Sequence, residues 1–150
     1  MDIKIEEVSI SNLDKLYEIE KQCFEQEAFT KQQLAYLLTD YNAIGLAARV
    51  NGEIAGFAIA RMDIRRNVPF GHILTVDITP VYRRRGIAQK LLHKVETILR
   101  ERGIKECRLE VREDNVAALS LYKKLGYKEA GNLEKYYGDT HGLYLKKILR

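Results

Sequence analysis

The run Arg83-Arg84-Arg85-Gly86-Ile87-Ala88 stands where a strand-like segment gives way to a long amphipathic one. Its residue types suit an anion. A diphosphate needs several backbone N–H groups aimed at one place. A helix N-terminus supplies them without intrahelical partners and with a favourable dipole. Gly86 allows close backbone approach, Ala88 is nearly as small, and Arg83, Arg84, Arg85 and Lys90 add positive charge. The spacing excludes a Walker loop, which needs Gly-Lys-Ser/Thr, and a dinucleotide fingerprint, whose second and third glycines are missing. From the residues alone, a solvated basic helix start without a ligand accounts for the run equally well.

The elements that must hold this loop are legible from periodicity. Ile3, Ile5 and Val8 predict a first strand. Ser11 with Asp14 resembles a capping box and opens a helix whose apolar face is Leu13, Leu16, Tyr17 and Cys23 or Phe24. Thr30 with Gln33 opens a second, carrying Leu34, Leu37 and Leu38. Ile44 to Val50 and Ile54 to Met62 predict a hairpin across Asn51-Gly52. A third strand runs from Ile73 to Ile78, with Leu74, Val76 and Ile78 on one face and Thr75, Asp77 and Thr79 on the other. After Gly86 a long helix presents Ile87, Leu91, Val95 and Ile98, and Gly103 stops it. Cys107 to Arg112 reads as a strand, Asn115 caps a short helix ending at Gly126, and strands near Tyr127–Glu134 and Gly142–Ile148 close the chain. The order predicts a mixed α/β sheet with parallel pairing across the long helix.

Composition agrees with one globular domain spanning 1–150. The 150 residues are 46% hydrophobic and 31% charged, and the net charge of +4 is too mild to imply nucleic acid. Cys23 and Cys107 sit at no metal-like spacing and read as reduced thiols. No signal peptide or membrane-spanning run is visible, so a soluble, cytoplasmic protein is expected.

The motifs also carry a family resemblance. Arg83 to Ala88 resembles the Arg/Gln-x-x-Gly-x-Gly/Ala signature of the GNAT acetyltransferases, with Ala88 where many members have Gly. The stretch from Gly71 through Leu92 is similar to the RimI and NatA-catalytic-subunit branch, the protein N-terminal acetyltransferases. So are Leu109-Glu110-Val111-Arg112, Asn115, Ala117-Ala118, Leu121-Tyr122, Leu125-Gly126-Tyr127 and the pair Tyr136-Tyr137. The resemblance implies the GNAT fold: a mixed, mostly antiparallel sheet of about seven strands with four helices, its strands splayed at the cofactor site. It implies acetyl-CoA, with the pantetheine arm on the backbone of Val76, Asp77 and Ile78, the diphosphate on Arg84, Arg85, Gly86, Ile87, Ala88 and Gln89, and a further contact at Asn115. It implies as acceptor a protein or peptide N-terminus, a ribosomal protein or nascent chain among them, and a monomer or weak homodimer.

Acetyl transfer to an amine needs a base for the amine and an acid for the leaving thiolate. Tyr122 lies seven residues after Asn115, two turns along the same helix face, and the resemblance assigns it the acid role. Glu110 is the first candidate base. A solvated carboxylate paired with Arg108 or Arg112 is the competing reading. His72, ahead of the cofactor strand, is the second candidate. Glu25 or Glu27, in the loop between the first helices, would face the substrate, while Phe29, Tyr36, Tyr136 and Tyr137 would wall a peptide groove or be ordinary core aromatics. An α-amine titrates near roughly 8 and a lysine near roughly 10.4, so moderate bases suit the α-amine. A GNAT enzyme acting on a small amine or on protein lysine, and a CoA-holding module without turnover, are the competing functions.

Overall fold

The computed structural model describes residues 1–150. Strands β1 (Ile3–Glu7), β2 (Ala43–Val50), β3 (Glu53–Arg65), β4 (Val68–Ile78), β5 (Glu106–Arg112), β6 (Lys128–Tyr137) and β7 (Thr140–Ile148) form one sheet in the order β1-β2-β3-β4-β5-β7-β6. Helices α1 (Leu13–Cys23), α2 (Lys31–Thr39), α3 (Ile87–Glu101) and α4 (Val116–Lys124) cover it. Every pairing is antiparallel except β4 with β5, the two strands that α3 connects. This is the GNAT fold, seven strands and four helices, that the family resemblance implied.

The Asn51-Gly52 turn forms as read, with both residues at positive φ (53° and 81°), the twist a two-residue hairpin needs. A second such turn forms without glycine. Arg66 and Asn67 adopt φ of 51° and 66° and join β3 to a β4 that starts at Val68, five residues before the expected strand. An Arg-Asn pair is a poor advertisement for a turn that favours glycine. The first cap also differs: Ser9 and Asn12, not Ser11 and Asp14, form the capping box, with the Ser9 N–H donating to Asn12 Oδ1 at 3.0 Å. The Thr30–Gln33 box forms as read, at 3.1 and 2.9 Å.

The core lies on both faces of the sheet. On one, the apolar stripe of α3 (Ile87, Leu91, Leu92, Val95, Leu99) packs with Tyr122 and Tyr127 over the sheet. On the other, Leu16, Ile19, Leu34 and Leu37 pack on Ala47, Phe57 and Ile59. The expected face partition of β4 fails at one residue. Opposite the step from Ile59 to Ala60 the register skips Leu74, a bulge. It turns Leu74 to the α1–α2 side while Ile73, Val76 and Ile78 face α3.

Candidate active site

Strands β4 and β5 pair only at Gly71 with Cys107 and His72 with Arg108. Beyond those residues they part. The bulge at Leu74 bends β4, while β5 stays in continuous register with β7 from Glu106 to Arg112. A cavity of about 430 Å³ fills the opening, walled by Ile73–Val76 of β4 and Leu109–Arg112 of β5. His72 of β4, Glu20 of α1, Asn115 at the cap of α4 with Ala118 and Tyr122 within it, Phe24, Glu27 and Phe29 of the α1–α2 segment, and Tyr136 and Tyr137 of β6 complete its lining. Of the residues singled out from sequence, His72, Val76, Glu110, Asn115, Tyr122, Phe29, Tyr136 and Tyr137 thus meet around one space. Tyr36 borders a neighbouring depression that shares Phe29 and Leu74 with the cavity. Glu25 is exposed and lines neither. Asp77 is fully buried behind the wall.

The two candidate bases touch. His72 Nε2 lies 2.7 Å from Glu110 Oε1, and His72 Nδ1 lies 3.3 Å from Asp63 Oδ2. Burial works against a charge on the imidazole. The hydrogen bond and charge of Glu110, with those of Asp63, outweigh it and raise the His72 pKa above its ordinary value. Neither flanking arginine takes Glu110. Arg108 bonds Glu106 at 3.0 Å and lies over the Phe70 ring. Arg112 is shared by Asp114, Glu27 and Thr140. The surface ion pair left open by the sequence is therefore absent, and Glu110 pairs with the imidazole.

Tyr122 projects from α4 two turns after Asn115, whose Oδ1 accepts from the Ala118 N–H at 3.1 Å and caps the helix. Burial, with the charge of Asp77 added, raises the Tyr122 pKa well above the ordinary phenol value. The hydroxyl therefore keeps its proton at neutral pH, as an acid must.

A second polar chain, which sequence reasoning missed, lies beside the cavity. Glu20 of α1 accepts from the Thr75 hydroxyl at 3.0 Å and from the Phe29 N–H at 3.0 Å. Thr75 Oγ1 also sits 2.5 Å from Asp77 Oδ1. One hydroxyl carries one hydrogen. With Glu20 accepting it, the contact to Asp77 closes when Asp77 is the neutral acid and donates. Burial, with the hydrogen bond and charge of Glu20, pushes the Asp77 carboxyl up to about 9. The signal was available: Glu20 continues the spacing of Leu13, Leu16 and Tyr17 on the apolar face of α1.

At the start of α3, no main-chain carbonyl accepts from the N–H groups of residues 84–89. Arg84 (φ 62°) and Gly86 (φ 79°) take left-handed backbone, the second directly ahead of the right-handed α3, an arrangement that gathers N–H groups into an anion-binding concavity. A Cβ built on Gly86 meets no atom within 4 Å, so the space before the loop is open. Arg83 turns inward, Nε donating to the Ile78 carbonyl at 3.0 Å, and leaves the exposed Arg84 and Arg85 for a ligand. These groups fit a diphosphate.

Residues 13–127 match the family model described as Acetyltransferase (GNAT) family. An N-alpha-acetyltransferase of Sulfurisphaera tokodaii is 35% identical over 72% of this chain and 70% of its own length. The [Ribosomal protein bS18]-alanine N-acetyltransferase of Escherichia coli is 36% identical over 61% of this chain and 60% of its own. The crystal structure of Ard1 from Thermoplasma volcanium superposes with a TM-score of 0.89 at 25% identity, covering 100% of this chain and 99% of that one.

Proposed function

The chain belongs to the GNAT acetyltransferase family, and on that footing we propose that residues 1–150 form one domain that transfers the acetyl group of acetyl-CoA to the N-terminal α-amine of a protein. The observation that carries this reading is the His72–Glu110 pair facing the same cavity as the protonated Tyr122. The names of the Sulfurisphaera tokodaii and Escherichia coli relatives support an α-amine acceptor, the second on a ribosomal protein.

When bound, acetyl-CoA supplies an activated acyl thioester. The N–H groups of residues 84–89 with Arg84 and Arg85 would hold its diphosphate, and the edge of β4 at Val76, Asp77 and Ile78 would hold the pantetheine arm. The His72–Glu110 pair takes the proton of the incoming ammonium, so that the free amine attacks the thioester carbonyl. Transfer would form the C–N bond and break the C–S bond; Tyr122 gives its hydroxyl proton to the departing sulfur, and the second proton of the attacking nitrogen returns to the Tyr122 oxygen, which leaves an amide and a thiol. An α-amine at a pKa of roughly 8 is within reach of an imidazole-based acceptor, whereas a lysine at roughly 10.4 is a much poorer match. Phe29, Tyr136 and Tyr137 wall the entry for the first residues of the acceptor, with Glu27 beside them.

Incubation with acetyl-CoA and short peptides, read by mass spectrometry, tests the assignment. Peptides with a free α-amine become acetylated there. The same peptides with a blocked N-terminus and a free lysine react poorly. Equal labelling of both would point instead to a lysine or small-amine acetyltransferase.

A further inference from the structure

His72 has a neighbour on its other side that the proposed chemistry does not use. Asp63 lies outside the cavity lining. It is two residues after Arg61 on β3, so the two side chains share a face, and Arg61 is the register partner of His72. Arg61 grips the carboxylate with two bonds, Nε to Oδ1 at 2.8 Å and Nη2 to Oδ2 at 3.3 Å. The same Oδ2 meets His72 Nδ1. Resting on the proposed acetyl transfer, we infer that Asp63, clamped by Arg61, is the positioning residue of the base: it holds the proton of neutral His72 on Nδ1 and so leaves the Nε2 lone pair free on the side of Glu110 and the cavity.

A neutral imidazole carries one N–H, and both of its nitrogens face carboxylate oxygens. The 2.7 Å contact of Nε2 with Glu110 needs a hydrogen as much as the 3.3 Å contact of Nδ1 with Asp63, so both close only in the imidazolium, and the neutral ring must set one lone pair against a carboxylate. Arg61 keeps Asp63 from turning away, while the only ion partner of Glu110 is His72 itself, so the contact that opens on proton loss is the one at Nε2. With the hydrogen on Nδ1 the contact to Asp63 is a hydrogen bond. The Nε2 lone pair and the Glu110 carboxylate then together form an acceptor site for one proton. After proton uptake both nitrogens are N–H groups and both carboxylates are acceptors, so the imidazolium is bonded at each end. The other titratable side chains around this unit are Arg108 on β5, engaged by Glu106, Tyr144 on β7, the register partner of Glu110, and Tyr136 and Tyr137 on β6, which feel the charge of Glu110. None of them reaches Nδ1.

Asp63→Asn separates charge from shape, because the amide oxygen can still accept from Nδ1 while the negative charge is gone. Removing that charge disfavours the imidazolium, so the His72 pKa falls and the acid limb of kcat/KM moves to lower pH. A residue acting through the base forfeits part of its contribution, about a tenfold loss in kcat with the peptide KM unchanged. Nitrogen NMR of labelled protein reads the ring directly, with His72→Asn identifying the signal. The wild type shows the Nδ1–H form when neutral, and Asp63→Asn titrates at lower pH. This readout needs no acceptor and stands even if the enzyme proves to acetylate another amine. An Nε2–H form in the wild type, or an unmoved titration in Asp63→Asn, would overturn the inference. If the variant does not fold, the wild-type tautomer alone decides.

Discussion

Two hydrogen-bonded chains of carboxyl groups flank the cavity, and they are built on different terms. Arg61–Asp63–His72–Glu110 crosses β3, β4 and β5, contains a guanidinium and an imidazole, and is partly open to solvent. Glu20–Thr75–Asp77 joins α1 to β4, bonds no cation, and is almost wholly buried, at 1%, 6% and 0% exposure. In the first, carboxylates raise the affinity of an imidazole for a proton above its ordinary value. In the second, burial holds a proton on Asp77 up to about 9, beyond the reach of a substrate near neutrality. Partner charge and depth, not residue type, separate a chain that exchanges protons from one that pins the Phe29 N–H to β4.

The largest effect falls on the first chain. Glu110→Gln keeps the shape and removes the charge. With Glu110 neutralised, Asp63 alone opposes burial at His72 and the pKa drops, so residual activity extends to lower pH. Loss of a general base typically costs about 10²–10⁴-fold in rate, and we expect kcat to fall within that range while acetyl-CoA affinity, measured by calorimetry, is unchanged. A variant with full kcat and an unmoved pH profile would break the distinction from the acid side.

Glu20→Ala attacks the second chain and produces a different signature. It leaves the Phe29 N–H and the Thr75 hydroxyl without their acceptor, a cost of about 1–3 kcal/mol in a buried setting. Thermal unfolding shows the loss. The segment carrying Glu27 and Phe29 loosens, so the peptide KM rises while the pH profile of kcat stays in place. A shifted profile would mean that this chain, too, exchanges protons with the substrate.

The smallest effect is expected of Asp77→Asn, whose amide can donate to Thr75 as the neutral acid does. Activity near neutrality changes little. The signature is in stability. An unfolded aspartate titrates near roughly 3.9, and folded Asp77 at about 9. Between those values the folded state holds the extra proton, so this group's contribution is full at low pH and is lost as pH rises through the window. Asparagine titrates nowhere in it. The melting temperature of the variant relative to wild type therefore rises from pH 5 to pH 8.5. A constant difference would place the Asp77 pKa in the ordinary carboxylate range.

Much of this was legible in the chain because the signals are local. The apolar stripe after Gly86, the Asn51-Gly52 turn and the Thr30–Gln33 cap need only neighbours within a few residues, and so does the seven-residue step from Asn115 to Tyr122. The contacts that set proton affinities are not local. His72 meets Glu110 because β4 and β5 pair in one register across α3, 38 residues apart. Glu20 meets Thr75 across 55 residues, and only because the bulge at Leu74 leaves Thr75 facing α1. Pairing with Arg108 or Arg112 competes with the base role of Glu110 in the sequence because those arginines lie beside it; Glu106, Glu27 and Asp114 claim them in space.

That His72 and Glu110 work as one acceptor is tested most directly by a double-mutant cycle. kcat for acetylation of a peptide α-amine is measured for wild type, His72→Ala, Glu110→Gln and the double variant, under conditions where chemistry limits the rate. A single unit predicts that the double variant is no slower than the slower single variant, because either change already removes the shared proton site. Losses that multiply across the two positions would contradict it and make them independent contributors.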